Sequence, residues 1–146
     1  MNKQETMAAY LEHLKHQNKD VMRKSIELFD RIASIIEETE KDIKENGCLK
    51  PTHYSFVEDD VPHKIKVSKF NGEWRILCFN RATGRYLPLS DSRIESRIAT
   101  LPHLPQIQRL VYEGNKEALT HYTTTLKDRL QQTSLKESLT PNDSSK

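Results

Sequence analysis

The sequence predicts an α+β fold: a long N-terminal helix, a three-stranded antiparallel β-meander, and two to three C-terminal helices. Three observations support this prediction. Residues 1–46 contain neither Gly nor Pro and repeat apolar side chains at helical spacing. Asn71-Gly72 separates two segments of alternating side chains, which is typical of a hairpin with a two-residue turn. After Ser92 the apolar residues return to helical spacing.

The N-terminal helix is expected from about Glu5 to Glu45, with Asn46-Gly47 ending it. It carries a heptad seam, apolar at one position and half polar at the other. The apolar position holds Met7, Leu14, Val21, Leu28 and Ile35, and the half-polar one holds Leu11, Asn18, Ser25, Ile32 and Thr39. The polar run at 16–20 leaves open a pair of shorter helices instead of one.

Two interpretations of this helix remain open. In the first, the seam holds a homodimer together through Met7, Leu11, Leu14 and Val21. In the second, the helix covers the protein's own sheet, since the apolar stripe broadens after Val21.

A turn at Asn71-Gly72 would divide the hairpin side chains between two faces. The core face carries Ile65, Val67, Trp74, Ile76 and Cys78. The mixed face combines basic, aromatic and other side chains: Lys64, Lys66, Ser68, Phe70, Arg75, Leu77 and Phe79. A third strand, Arg85–Leu89, follows a loop at 81–84 and adds Tyr86 and Pro88 to the mixed face and Leu87 and Leu89 to the core face. Because Pro88 cannot donate a hydrogen bond to a neighbour, this strand is predicted at the sheet edge.

The segments on either side of the meander are predicted from turn and cap residues. Residues 48–62 should be loop with one short strand near Tyr54–Val57, and the acidic run at 58–60 should be solvated. Ser92 and Glu95 form a capping box before a short helix.

The C-terminal part is predicted as two more helices and a tail. A helix at 106–113 should end at Gly114, and Asn115 should cap a last helix that ends near Gln132. Residues 133–146 should be disordered because they are rich in Ser, Thr, Asn and Asp. The predicted organisation is therefore a long amphipathic helix over 1–47, a small α+β domain over 48–132 and a disordered tail.

Charge is unevenly distributed along the chain. The net charge is +2, but residues 63–110 alone hold 9 basic and 3 acidic side chains, a net of +6. We expect a cytoplasmic protein without a membrane segment, because no apolar run is long enough to span a bilayer and Cys48 and Cys78 form no CxxC pair.

Residues that could carry chemistry are few. The sequence holds no Gly-rich phosphate loop, no G-x-S-x-G, no H-E-x-x-H and no zinc-type Cys/His spacing. His13 and His16 could share a metal, but two such residues on a charged helix are more often plain surface. Cys48 could pair with His53 or His63 as a nucleophile, but no third group orients them. We therefore predict no enzyme, no cofactor and no metal site.

The basic and aromatic side chains favour binding to DNA or RNA. The predicted phosphate contacts are Lys64, Lys66, Arg75, Arg81, Arg85, Arg93 and Arg97, and the predicted aromatic contacts are Phe70, Phe79 and Tyr86. Alternatively, a helix covers these rings, with Lys and Arg stems laid over them. The second functional hypothesis is a protein-interaction module, an adaptor or inhibitor that docks through the N-terminal helix or the mixed face.

Overall fold

The computed structural model describes residues 2–139, and the side chains of residues 2–134. It confirms the α+β class, with an antiparallel sheet of four strands where three were predicted. The regular elements in chain order are α1 (Lys3–Asn46), β1 (Thr52–Glu58), β2 (Val61–Phe70), β3 (Glu73–Asn80), β4 (Arg85–Pro88), α2 (Ile94–Thr100) and α3 (Leu104–Leu139). Single 3-10 turns lie at Leu89–Asp91 and Leu101–His103.

The predicted hairpin forms with the predicted register. Asn71 and Gly72 both have positive φ angles, 51° and 85°, which match the right-handed twist of the flanking strands. Val67 therefore faces Ile76, and Ile65 faces Cys78. The second connection is also as predicted, since Asn80 pairs with Arg85 and β4 lies at the edge of the sheet.

The additional strand, β1, results from a turn that was predicted only as an acidic loop. Asp59 and Asp60 have φ angles of 50° and 60° and connect β1 to β2 as a second two-residue turn. Asp can adopt this left-handed conformation because its short polar side chain bonds locally to the backbone. The strand spans Thr52–Glu58, longer than the short strand predicted near 54–57.

The core lies on one face of the sheet, between the strands and the helices. Ile65, Val67, Ile76 and Cys78 are buried on the core face, as predicted, and Trp74 is half-buried there. The helical side of this core comprises Ile36 and Ile43 from α1 and Leu104, Ile107 and Val111 from α3. The second half of α1 thus covers the sheet, as one of the two interpretations predicted.

Helix α3 passes through Gly114 and Asn115 without interruption, so the predicted helix end and cap at these residues are wrong. The Asn115 side chain donates to the Gly47 carbonyl and accepts from the Leu49 amide, both at 2.8 Å. It therefore caps the exit from α1 rather than the start of a new helix. α3 continues to Leu139, into the segment predicted to be disordered, and residues 140–146 lie outside the described part of the chain.

One further local prediction is wrong, and one alternative that the sequence left open is resolved. Ser92 donates to the Pro88 carbonyl at 3.1 Å and closes the 3-10 turn, so it forms no capping box with Glu95. α1 is one helix through residues 16–20, and a capping box between Asn2 and Glu5 begins it. Among the residues described, none of the helices has the length and apolar character needed to cross a bilayer.

Candidate functional site

The mixed face carries an aromatic pair beneath two lysines. Phe79 and Tyr86 are cross-strand partners whose ring centroids lie 5.3 Å apart with a tilt of 58°. The Lys64 Nζ lies 5.5 Å from the centre of the Phe79 ring, and the Lys66 Nζ lies 5.4 Å from the centre of the Tyr86 ring. Each ammonium is therefore held over a ring by a cation–π interaction. Phe70 lies half-buried on the same face, beside the hairpin turn.

The helices pack on the core face and leave the mixed face open. The core cluster includes side chains of α1 and α3 but, among the described residues, none of the mixed-face side chains. Leu77 is only 4% exposed although it lies on the mixed face. It pairs with Lys66 and Pro88 on the neighbouring strands, and lysine stems readily cover apolar surface of this kind. Lys66, its half-buried cross-strand partner, is therefore in a position to lay its stem over Leu77.

Arg75 differs from the two lysines because other side chains of the protein already bind its guanidinium. Its guanidinium forms an ion pair with Glu40 of α1, whose side chain is 7% exposed, and donates to the Ser90 hydroxyl at 2.9 Å. β4 pairs only with Leu77–Asn80, which leaves the β3 edge at Ile76 free for the Glu40 carboxylate. Burial raises the pKa of Glu40, against the opposing effects of Arg75 and the Ile76 backbone. These contacts give Arg75 a structural role.

The other predicted arginines occupy a different part of the surface. Arg81 and Arg93 line a groove of about 390 Å³ at the end of the sheet, together with His63. Arg81 also donates to the Pro62 carbonyl at 3.2 Å. Arg85 is exposed at the turn into β4, and α2 holds a half-buried Arg97. The geometry thus brings Lys64 and Lys66 onto the aromatic pair, whereas Arg81 and Arg93 line a groove to which Phe79 also contributes.

The apolar stripe of α1 over residues 7–35 is a second candidate surface. Ten of its large apolar side chains are 37–60% exposed, including all four of the predicted dimerisation residues. They are Met7, Tyr10, Leu11, Leu14, Val21, Met22, Ile26, Leu28, Phe29 and Ile35. The stripe continues directly into Ile36 and Ile43, which are buried in the core. α3 repeats this arrangement, since Leu119, Tyr122, Leu126 and Leu130 are exposed beyond its buried first turns.

Of the histidines weighed for chemistry, His63 takes a structural position, in a stack of aromatic rings. His63 stacks on Phe56 with centroids 4.9 Å apart, and Phe56 stacks on His103 at 3.9 Å. The Tyr54 hydroxyl lies 2.6 Å from Nδ1 of His103. The spacing of Tyr54 and Phe56 could have placed them on one strand face, but nothing in the sequence linked His103 to them.

The remaining candidates for metal or nucleophilic chemistry are not assembled into a site. Within residues 2–134, no three His, Cys, Asp or Glu side chains come together as a metal site would require. His13 and His16 are exposed on α1. Burial raises the pKa of the Cys48 thiol, which opposes formation of the nucleophilic thiolate.

Comparisons with known proteins add no family to this description. Neither a family model, nor a curated protein, nor a solved structure matches the chain. The functional proposals therefore depend on the residues and their geometry alone.

Proposed function

We propose that this chain is a small non-enzymatic binding protein that contacts nucleic acid through the mixed face of its sheet. The observation that carries the proposal is the pairing of Lys64 and Lys66 with Phe79 and Tyr86 on a face that the helices leave open. Lysines neutralise phosphates, and aromatic rings offer surfaces on which bases stack. Arg81 and Arg85 add positive charge at the adjacent turn.

The cation–π contacts on this face are weak enough to be replaced by contacts with a bound nucleic acid. A cation–π contact at an exposed site is worth about 0.5–1 kcal/mol, whereas stacking a base on an aromatic ring is worth about 1–3 kcal/mol. Lys64 and Lys66 would therefore leave the rings for phosphates when bases arrive. Because phosphate recognition of this kind carries no sequence code, the expected binding is weakly selective.

Fluorescence anisotropy with labelled DNA and RNA oligonucleotides of mixed sequence tests the proposal. Four phosphate contacts, from Lys64, Lys66, Arg81 and Arg85, would lower the affinity by on the order of 100-fold between about 50 and 200 mM salt. Absence of binding at the lowest salt concentration would overturn the proposal, since electrostatic affinity is greatest there.

We also propose that the protein is located in the cytoplasm. Cys48 and Cys78 are both free thiols, and Cys78 is buried in the core. Free thiols of this kind suit a reducing compartment. Detection of the native protein in a cell fractionation experiment would decide the location.

The second candidate function is a protein-interaction module, an adaptor or inhibitor that docks through the first half of α1. The observation that favours it is the exposed apolar stripe, because exposed apolar patches of this extent mark interaction sites. We expect a homodimer through Met7, Leu11, Leu14 and Val21.

Analytical ultracentrifugation of full-length variants tests the second candidate. Leu11→Glu with Leu14→Glu should convert a dimer to a monomer, because the charges would be buried in the seam. His13→Glu with His16→Glu is the matched control, since both side chains point away from the seam and are exposed. A wild-type protein that stays monomeric at high concentration would contradict self-association.

A further inference from the structure

The exposed stripe of α1 has the size and pattern of an interface with an identical helix. Residues 7–28 span about 33 Å at 1.5 Å per residue, or three heptads. The apolar side chains at the seam and flanking positions over these residues expose on the order of 700 Å², close to what each partner contributes to a standard specific interface. After Leu28 the seam meets Ile32, which is half-buried against the core, so a second helix fits the stripe only up to this point.

Asn18 lies at the centre of this seam and distinguishes between orientations. It occupies the half-polar heptad position, between Leu14 and Val21, and is exposed. In a parallel, in-register pair each residue of this position faces its own copy, so two Asn side chains can hydrogen-bond to each other. In an antiparallel pair this position faces the apolar one, and Asn18 would be buried against Leu14 or Val21 of the other helix. Burial of an amide without a hydrogen-bond partner is unfavourable.

The other side chains along the seam are compatible with a parallel pair. Ser25, the second polar residue at the same heptad position, already donates to the Val21 carbonyl at 2.9 Å and needs no partner. In parallel register the flanking positions place Tyr10 opposite Lys15, Gln17 opposite Met22, and Lys24 opposite Phe29. No like charges face each other in these pairs.

We propose that a second copy of this chain docks on α1 as a parallel, in-register two-stranded coiled coil over residues 7–28, with Asn18 fixing the register. This inference rests on the second candidate function, in which α1 is the interaction surface. Because both chains run in the same direction, their two sheets lie at the same end of the coiled coil.

Disulfide cross-linking in the full-length chain tests the orientation. Gln4→Cys extends the half-polar heptad position by one heptad, so a parallel dimer brings the two introduced thiols together. In an antiparallel dimer the same thiols would be separated by about 35–45 Å of helix. Val21→Cys reports the same orientation from the other heptad position, because in a parallel pair each Val21 faces its own copy, whereas in an antiparallel pair it faces the half-polar position of the other helix. Both variants carry Cys48→Ser to remove the more exposed native thiol.

Under oxidising conditions, the proposal predicts that both variants form a covalent dimer as the major species. A dimer in sedimentation that cross-links through neither position would overturn the parallel orientation while leaving α1 as the interaction surface. No cross-linking of either variant, together with a monomer in sedimentation, would overturn both this inference and the self-association on which it rests.

Asn18→Leu tests the role assigned to Asn18 itself. An apolar residue at this position should strengthen association but admit trimers, tetramers or mixed orientations, because the polar pair no longer penalises them. Sedimentation should then detect species larger than a dimer. A variant that forms the same single dimer, with the same cross-link at position 4, would remove Asn18 from the account.

Discussion

The two faces of the sheet are built from the same strands, yet they differ in what covers them. On the core face, Ile65, Val67 and Ile76 are enclosed by α1 and α3. On the mixed face, Phe79 and Tyr86 are covered only in part, by lysines of the neighbouring strand. Alternation along each strand therefore separates the residues that stabilise the fold from those available to a ligand. Substitutions on the two faces should consequently alter different measurements.

The largest expected effect is on stability, when two adjacent residues on opposite faces of the sheet are each replaced by Ala. Ile76 is 0% exposed within the core, and Ile76→Ala should lower the free energy of unfolding by about 3–5 kcal/mol, because the helices cannot close the cavity. Leu77 is 4% exposed on the mixed face. Leu77→Ala should lower the free energy of unfolding by only about 2 kcal/mol, because lysine stems can move into the space that the side chain leaves. Urea denaturation measures both. Equal losses would contradict the openness of the mixed face.

The next effect concerns the aromatic pair on the mixed face. Replacing Phe79 and Tyr86 by Leu keeps apolar area over Leu77 but removes the surfaces on which bases stack. Affinity for single-stranded DNA or RNA should fall by about 1–3 kcal/mol for each stacked base, while stability changes little. Anisotropy titrations, paired with thermal melts, measure the two quantities. Unchanged affinity would show that the rings serve packing alone.

The smallest expected effect is at the boundary between the faces, where Glu40 meets Arg75. Because burial raises the pKa of Glu40, the folded state favours the protonated carboxyl more than the unfolded state does. The Glu40 carboxyl therefore adds to the free energy of unfolding at acid pH. This contribution is lost as the pH rises through the raised pKa.

Glu40→Gln should remove this pH dependence, with a change near neutral pH of about 1 kcal/mol or less, because the amide oxygen can still accept from Arg75, whose side chain is partly exposed. Denaturation of both proteins from acid to neutral pH checks the sign. A wild-type stability that rises relative to Glu40→Gln over this range would contradict it.

The parts of the fold that could be predicted depend on local chemistry. Asn71-Gly72 determines its own turn, and alternation then places Ile65 and Ile76 on the core face. The turn at Asp59-Asp60 was missed because two Asp residues reach positive φ only when the flanking strands pair. Likewise, Gly114 and Asn115 resemble a helix end, but the contacts of Asn115 with Gly47 and Leu49 allow α3 to continue.

The candidate site also combines features that local sequence predicts with contacts between distant residues that it does not predict. Lys64, Lys66, Phe79 and Tyr86 share a face because strand register is predictable from the turns. The pairing of Arg75 with Glu40 joins residues 35 positions apart, and the stack of His63, Phe56 and His103 crosses from the sheet to a 3-10 turn. Such contacts depend on how helices dock on the sheet, which periodicity does not determine.

The most direct test of the central claim is the salt dependence of nucleic acid binding by Lys64→Ala with Lys66→Ala. Its control is Lys116→Ala with Lys127→Ala, which removes the same charge from exposed positions on α3. If the mixed face contacts phosphates, the slope of log affinity against log salt should become shallower by about 1.4–1.8 in the mixed-face variant alone. Equal slopes in the two variants would contradict the claim that nucleic acid binds the mixed face.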